Sequence, residues 1–326
     1  MLQATIEVPE TSPEPTSAEP AKWRPEPPQH IPRGSKIVLR KRGTTFVRTI
    51  KGPPGAPVVL LLHGWAATAA LNWHQAFEPL SDHFRVIAPD LRGHGRGIRS
   101  RRRFTLADCA DDVAATLDAL DTGPVIAVGY SMGGPVAQLL WKRHREMVNG
   151  LVLCATGADF FPGNRARYTF AATTQILAGT TRAGALVGGW IPAGIARRVL
   201  NVTPPRGGDA KMVDWARREM SRHSFRLMLE AGQAIATYSS KGWIHDIDIP
   251  TSVLVTTKDA AIQPAAQFRM ASAIPHSHVN LIEDGHTACM MPGFGRKLTD
   301  ACIDTQRRVE AHADGHWPVP LTDAPH

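Results

Sequence analysis

Pro124-Val125-Ile126-Ala127-Val128-Gly129-Tyr130-Ser131-Met132-Gly133-Gly134 is the stretch on which the reading of this chain turns. Its apolar run has the make-up of a buried strand, and an apolar-periodic helix follows from Pro135 to about His144. Between them, Gly129-Tyr130-Ser131-Met132-Gly133 fits G-x-S-x-G in the strand–turn–helix setting where that pattern carries a nucleophile. The glycines have a steric purpose: a strand that turns straight into a helix brings backbones close enough for Cβ atoms to collide. Such a turn lifts the Ser131 hydroxyl to the top of a sheet, at the positive end of the helix dipole. Taken alone, the pattern also describes a tight turn with an idle serine, so the rest of the chain decides.

Upstream, Val58-Val59-Leu60-Leu61-Leu62 is apolar at every position, which suits a strand buried on both faces. A hairpin around Gly43 precedes it, and a helix is expected near Trp73 to Leu80. Phe84-Arg85-Val86-Ile87-Ala88-Pro89 reads as the next strand, and apolar spacing from Leu106 to Leu120, capped by Thr105, as the next helix. Downstream come the strand Gly150-Leu151-Val152-Leu153-Cys154-Ala155, the strand Thr251-Ser252-Val253-Leu254-Val255-Thr256, a helix over Pro264 to Ile274, the strand Val279-Asn280-Leu281-Ile282 and a helix near Phe294 to Arg307. Strands alternating with helices predict an α/β fold with a doubly wound, mostly parallel sheet. The rhythm breaks between Ala158 and Asp246, where helical patterns near 168–177, 210–223 and 225–238 replace strands. We read this block as a helical cap inserted after the sixth strand. The expected organisation is a disordered Pro/Glu-rich tail over 1–34, a core over 35–157 and 247–309, the cap over 158–246 and a C-terminal tail over 310–326.

Composition narrows the class. The chain has 326 residues, 43% hydrophobic and 20% charged, enough for one large domain. The net charge of +8 is densest at Arg92, Arg96, Arg99, Arg101, Arg102 and Arg103, a glycine-interrupted loop without interleaved aromatic residues. That arrangement reads as a solvated loop and argues against nucleic acid. Cys109, Cys154, Cys289 and Cys302 have no paired or metal-like spacing. We therefore expect no metal site, and no H-E-x-x-H, Walker or G-x-G-x-x-G motif supports a cofactor. No segment reaches the roughly twenty apolar residues of a membrane span, and the start lacks signal-peptide features, so the expected location is cytoplasmic.

A serine hydroxyl needs a base, and the base needs an orienting carboxylate. In open α/β sheets such groups gather at the carboxyl ends of strands. Asp259 follows the strand ending near Thr256, and His286 follows the last strand. The chain order Ser131, Asp259, His286 is the one this architecture imposes. Asp284 and His94 are the nearest rivals, although Asp284 stands only two residues before His286. An oxyanion would be met by the backbone N–H groups of Met132 and Trp65, with Gly64 allowing a close turn and His63 bonding the loop backbone.

These features together resemble the α/β-hydrolase fold superfamily, in its cap-bearing serine hydrolase branch. The likeness runs from about Ile37 to Arg307 and is carried by His63-Gly64-Trp65, Asp90-Leu91-Arg92-Gly93-His94-Gly95, Gly129-Tyr130-Ser131-Met132-Gly133-Gly134, Lys258-Asp259 and Gly285-His286. It implies catalytic roles for Ser131, Asp259 and His286. Two positions depart from the pattern: Gly97 replaces the usual serine, and Thr257 the frequent glycine. The expected activity is cleavage of a small-molecule carboxylic ester with an apolar acyl group, through an acyl-enzyme. The alternatives are a cofactor-free perhydrolase (haloperoxidase), a carbon–carbon bond hydrolase with the same triad, and a non-catalytic small-molecule receptor. Tyr130, Phe160, Phe161 and Trp190 are the candidate pocket residues.

Overall fold

A computed structural model of the chain describes residues 28, 31–160 and 210–314. Eight strands form one sheet: β1 (Gly34–Leu39), β2 (Gly43–Ile50), β3 (Val58–Leu62), β4 (Arg85–Pro89), β5 (Val125–Tyr130), β6 (Val148–Cys154), β7 (Thr251–Thr256) and β8 (His278–Ile282). Their order is β1-β2-β4-β3-β5-β6-β7-β8. The hairpin β1–β2 joins β4 antiparallel, and every pairing from β4 to β8 is parallel. The doubly wound, mostly parallel sheet expected from the alternation is therefore the observed one.

Burial on both faces explains the continuous apolar runs. Along β3, Val58, Leu60 and Leu62 join one hydrophobic layer, while Val59 and Leu61 join the other. The first layer lies under α3 (Leu106–Ala119) and α4 (Gly133–Arg143). Thr105 caps α3, its hydroxyl accepting from the Asp108 N–H at 2.9 Å. The second layer lies under α1 (Ala69–Trp73), α2 (Phe77–Ser81) and the C-terminal α8 (Phe294–Ala313). Trp73, Tyr130 and Phe294 pack their rings against one another there.

Three expectations are corrected. The helix predicted over Trp73 to Leu80 is two short helices, because Pro79 has no N–H for a helical bond and its ring would meet the carbonyl four residues earlier. Pro79 is tolerated in the first turn of a helix that restarts at Phe77. The last helix reaches Ala313, so residues 310–313 are the end of a helix rather than the start of a tail. At the other end the described chain reaches into the proposed tail, where the Pro32 carbonyl accepts a bond from Arg48 Nη1 at 2.6 Å.

In the arginine loop Arg96, Arg99, Arg101, Arg102 and Arg103 are exposed, and Arg92 alone departs from the solvated arrangement expected. Arg92 is buried and grips Asp112 of α3 with two bonds of 2.7 Å. Arg99 donates to the Gly93 and Gly95 carbonyls, at 3.1 and 2.7 Å.

Between β6 and β7 the described part of the insertion holds α5 (Ala210–Met220) and α6 (Phe225–Thr237). A further helix, α7 (Pro264–Ala273), follows β7. An antiparallel bridge between Asp159 and Ser239 draws the two ends of the insertion together. No helix among the described residues is long and apolar enough to cross a membrane.

The departure at Gly97 has a steric reason. A Cβ there would stand 2.3 Å from the carbonyl oxygens of Asp90 and of Leu91. Gly97→Ser should therefore lower stability by about 2–3 kcal/mol through overpacking. The midpoint of urea unfolding measures it, and an unchanged midpoint would show that the loop relaxes freely.

Candidate active site

Ser131 occupies the turn between β5 and α4 with φ of 50°, left-handed backbone that a residue with a Cβ adopts at a cost. The neighbouring glycines make the turn possible. A Cβ on Gly129 would lie 2.4 Å from the Gly133 carbonyl, and one on Gly133 would lie 2.0 Å from the Leu62 carbonyl. The Ser131 carbonyl accepts from the Thr156 hydroxyl and the Gly134 N–H, both at 2.9 Å, and its own N–H donates to Cys154 at 3.0 Å. The nucleophile candidate is thus held on three sides by backbone and by Thr156.

Asp259 and His286 are delivered by the turns after β7 and β8. His286 Nε2 stands 3.0 Å from Ser131 Oγ, and its Nδ1 stands 2.8 Å from Asp259 Oδ2. These partners define the tautomer: Nδ1–H donates to the carboxylate, which leaves Nε2 to accept the serine proton. The carboxylate that reaches His286 is Asp259 and not Asp284. Its Oδ1 accepts the N–H groups of Ala261 and Ile262 at 2.8 and 2.9 Å, and its Oδ2 accepts the Thr256 hydroxyl at 2.8 Å. Burial alone would raise the Asp259 pKa, but His286, the Ile262 amide and the Thr256 hydroxyl together hold it below the ordinary value.

Two supporting residues were missed or misread from sequence. Gln267 is fully buried in α7, donating to the Thr256 hydroxyl and the Ile262 carbonyl at 2.8 Å and accepting from the Thr256 N–H at 3.1 Å. A signal existed, since Gln267 interrupts the stripe that Met270, Ala271 and Ile274 form at helical spacing. Tyr130 is no pocket wall. Its ring is buried in the second layer, and its hydroxyl donates to the His286 carbonyl at 2.7 Å, anchoring the loop of the base from below. Phe160 packs half-buried against the first layer, as does Trp65, whereas Phe161 and Trp190 lie outside the described residues. Met132 is buried at the head of α4, directly after Ser131.

Two rival or accessory histidines fall in one buried group. His63 Nδ1 donates to the Gly64 carbonyl at 2.8 Å, while its Nε2 accepts the Leu91 N–H at 2.9 Å. His94 lies beside it, ring centres 5.5 Å apart, and His223 from the insertion lies 5.3 Å beyond. His94 is enclosed between these rings and Phe104, and its Nδ1 meets the Arg92 carbonyl at 3.0 Å.

A model of the alpha/beta hydrolase fold matches residues 57–291. The chain belongs to that family. Among alpha/beta hydrolase relatives, the poly(3-hydroxyalkanoate) depolymerase of Ectopseudomonas oleovorans is 28% identical over 250 residues, 72% of this chain and 80% of the depolymerase. The pimeloyl-[acyl-carrier protein] methyl ester esterase of Yersinia enterocolitica is 36% identical over 114 residues, 33% of this chain and 41% of the esterase. An uncharacterised Mycobacterium tuberculosis protein is 35% identical over 112 residues, and the match spans 34% of this chain and a third (33%) of that relative's length. In three dimensions, a thermophilic esterase from Thermogutta terrifontis matches with a TM-score of 0.66 at 26% identity, over 85% of this chain and 99% of the esterase.

Burial dominates the titration of the histidine group. It lowers His63 and His223 to about 4 from the ordinary 6.5, and it moves His94 well below that value. A depressed histidine pKa means that the unfolded chain binds protons first. The stabilisation is therefore complete above pH 6.5 and is lost as pH falls toward about 4. Melting temperature should drop steeply across that window, and a flat profile in calorimetry would contradict the buried, neutral state.

Proposed function

We propose that the chain is a serine hydrolase that cleaves carboxylic esters through an acyl-enzyme. The observation that carries the proposal is the unbroken hydrogen-bond chain from Ser131 Oγ through His286 to Asp259. Ser131 attacks the ester carbonyl while His286 Nε2 takes its proton, and Asp259 holds the imidazole and stabilises its charged form. The same proton then leaves with the alcohol. Water, activated by His286, afterwards attacks the acyl-Ser131 and releases the acid. In both steps the oxyanion would be met by the Met132 and Trp65 amides, at the head of α4 and in the loop after β3.

The names of the relatives support ester chemistry: a polyester depolymerase, a methyl ester esterase and a thermophilic esterase. Hydrolysis by this route needs no metal or cofactor. We further propose that the helices between β6 and β7 form a cap over Ser131 and that its underside, with Phe160 and Trp65, offers an apolar surface to the acyl chain. Four unpaired, buried cysteines support a reducing, cytoplasmic setting.

Ser131→Ala should cost close to a millionfold in turnover of p-nitrophenyl esters while leaving the melting temperature nearly unchanged. Asp259→Asn should cost about ten-thousandfold, because it favours the wrong imidazole tautomer. Substantial activity in the purified Ser131 variant would remove that residue from its role.

The acyl preference has its own test. Each buried methylene contributes about 0.8 kcal/mol, so kcat/KM should rise roughly three- to fourfold per added carbon from acetate upward, until the pocket is full. A steady fall from acetate to decanoate would show that the pocket is closed or polar.

A further inference from the structure

Three hydrogen bonds tie the inserted helices to the loop that follows β3. The Trp65 indole N–H donates to the Met228 carbonyl of α6 at 2.9 Å. His223, between α5 and α6, donates from Nε2–H to the Ala66 carbonyl at 3.2 Å. The Thr68 hydroxyl donates to Glu219 Oε2 of α5 at 2.9 Å. From the sheet side the same loop is held by Asn72, which accepts the Gly64 N–H at 2.9 Å, and by Asp90, which accepts the Ala69 N–H at 2.9 Å.

The middle of these ties acts on a residue with left-handed backbone. Ala66 has φ of 57°, a left-handed conformation that persists only where its surroundings hold it. His223 is fixed in turn at its other nitrogen, because the Gly95 N–H donates into Nδ1 at 2.8 Å. Only the neutral imidazole with its proton on Nε2 makes both bonds. His63, His94, Asp90 and Arg99 face this ring, and the pair of backbone bonds selects its tautomer among them. Gly95 belongs to the loop after β4, whose Arg96 N–H is anchored on Asp90 at 2.9 Å. His223 therefore bridges two core loops from an element that belongs to neither.

We propose that His223 is a positioning residue for ester hydrolysis: by holding the Ala66 carbonyl it fixes the left-handed turn that follows Trp65, while His63, on the Gly64 carbonyl, holds the peptide plane that carries the Trp65 amide. This rests on the serine hydrolase reading above. His223 touches no reacting atom and acts through the loop. An oxyanion donor is worth about a hundred- to a thousandfold in kcat, so misdirecting it forfeits a large part of that factor. Substrate binding, which does not draw on the oxyanion contact, is spared.

Two variants separate the two bonds of the ring. His223→Gln places an amide N–H near the position of Nε2 and keeps the bond to Ala66. His223→Asn places an oxygen near Nδ1, which keeps the bond to Gly95 but falls short of Ala66. The measurements are kcat and KM for p-nitrophenyl butyrate and the inhibition constant of a trifluoromethyl ketone, which forms an oxyanion on the attacking serine. The Asn variant should lose about ten- to a hundredfold in kcat and in ketone affinity, with KM within about twofold. The Gln variant should stay within about threefold of the wild type. Unchanged kcat in a folded Asn variant, whatever its melting temperature, overturns the proposal. So does a tenfold loss of ketone affinity in the Gln variant, which decides the matter alone if the Asn variant does not fold. A wild-type protein inactive on every ester overturns the hydrolase reading and this inference with it, whereas an active wild type with indifferent variants overturns this inference only.

Discussion

The left-handed backbone at Ser131 is the constraint on which the site depends. A strand leaves the sheet and a helix begins after only two residues, so the helix must lie almost against the neighbouring strand. Only glycine at 129 and 133 lets the Gly133 and Leu62 carbonyls come that close. The strain is tolerated because the turn is fixed by backbone bonds to β6 and by Thr156. In return the hydroxyl stands clear of the sheet, where an imidazole carried by a different strand can reach it.

From that point the parallel sheet does the placing. Parallel strands end on one rim, so turns after β5, β7 and β8 converge without any long side chain having to stretch. The acid is then tuned locally: two amides, a hydroxyl and the imidazole offset the cost of burying its charge. Beneath the rim, Tyr130 and Gln267 support the His286 loop and the Asp259 turn from opposite layers of the core. The three candidate side chains are thus positioned by buried polar residues.

Much of this was legible in the residues alone. Continuous apolarity in β3, β5 and β7 marked a sheet covered on both faces, and loop residues in fixed chain order marked the three strand ends. What escaped depended on contacts between distant segments. Nothing near Tyr130 reveals that its hydroxyl meets a carbonyl 156 residues away, and nothing near Arg92 reveals its grip on Asp112. Pro79 was the opposite case, a local signal overlooked, since a proline inside an apolar stripe already says that the helix is interrupted.

The spacing of the triad along the chain has a consequence for how the protein comes into being. Ser131 and its base are 155 residues apart, and the base arrives only with β8, the far edge of the sheet. Contacts at such separation slow folding, because the loop-closure entropy of the intervening chain must be overcome before they stabilise. On the role proposed for Ser131, its pairing with His286 therefore requires that β8 has joined the sheet.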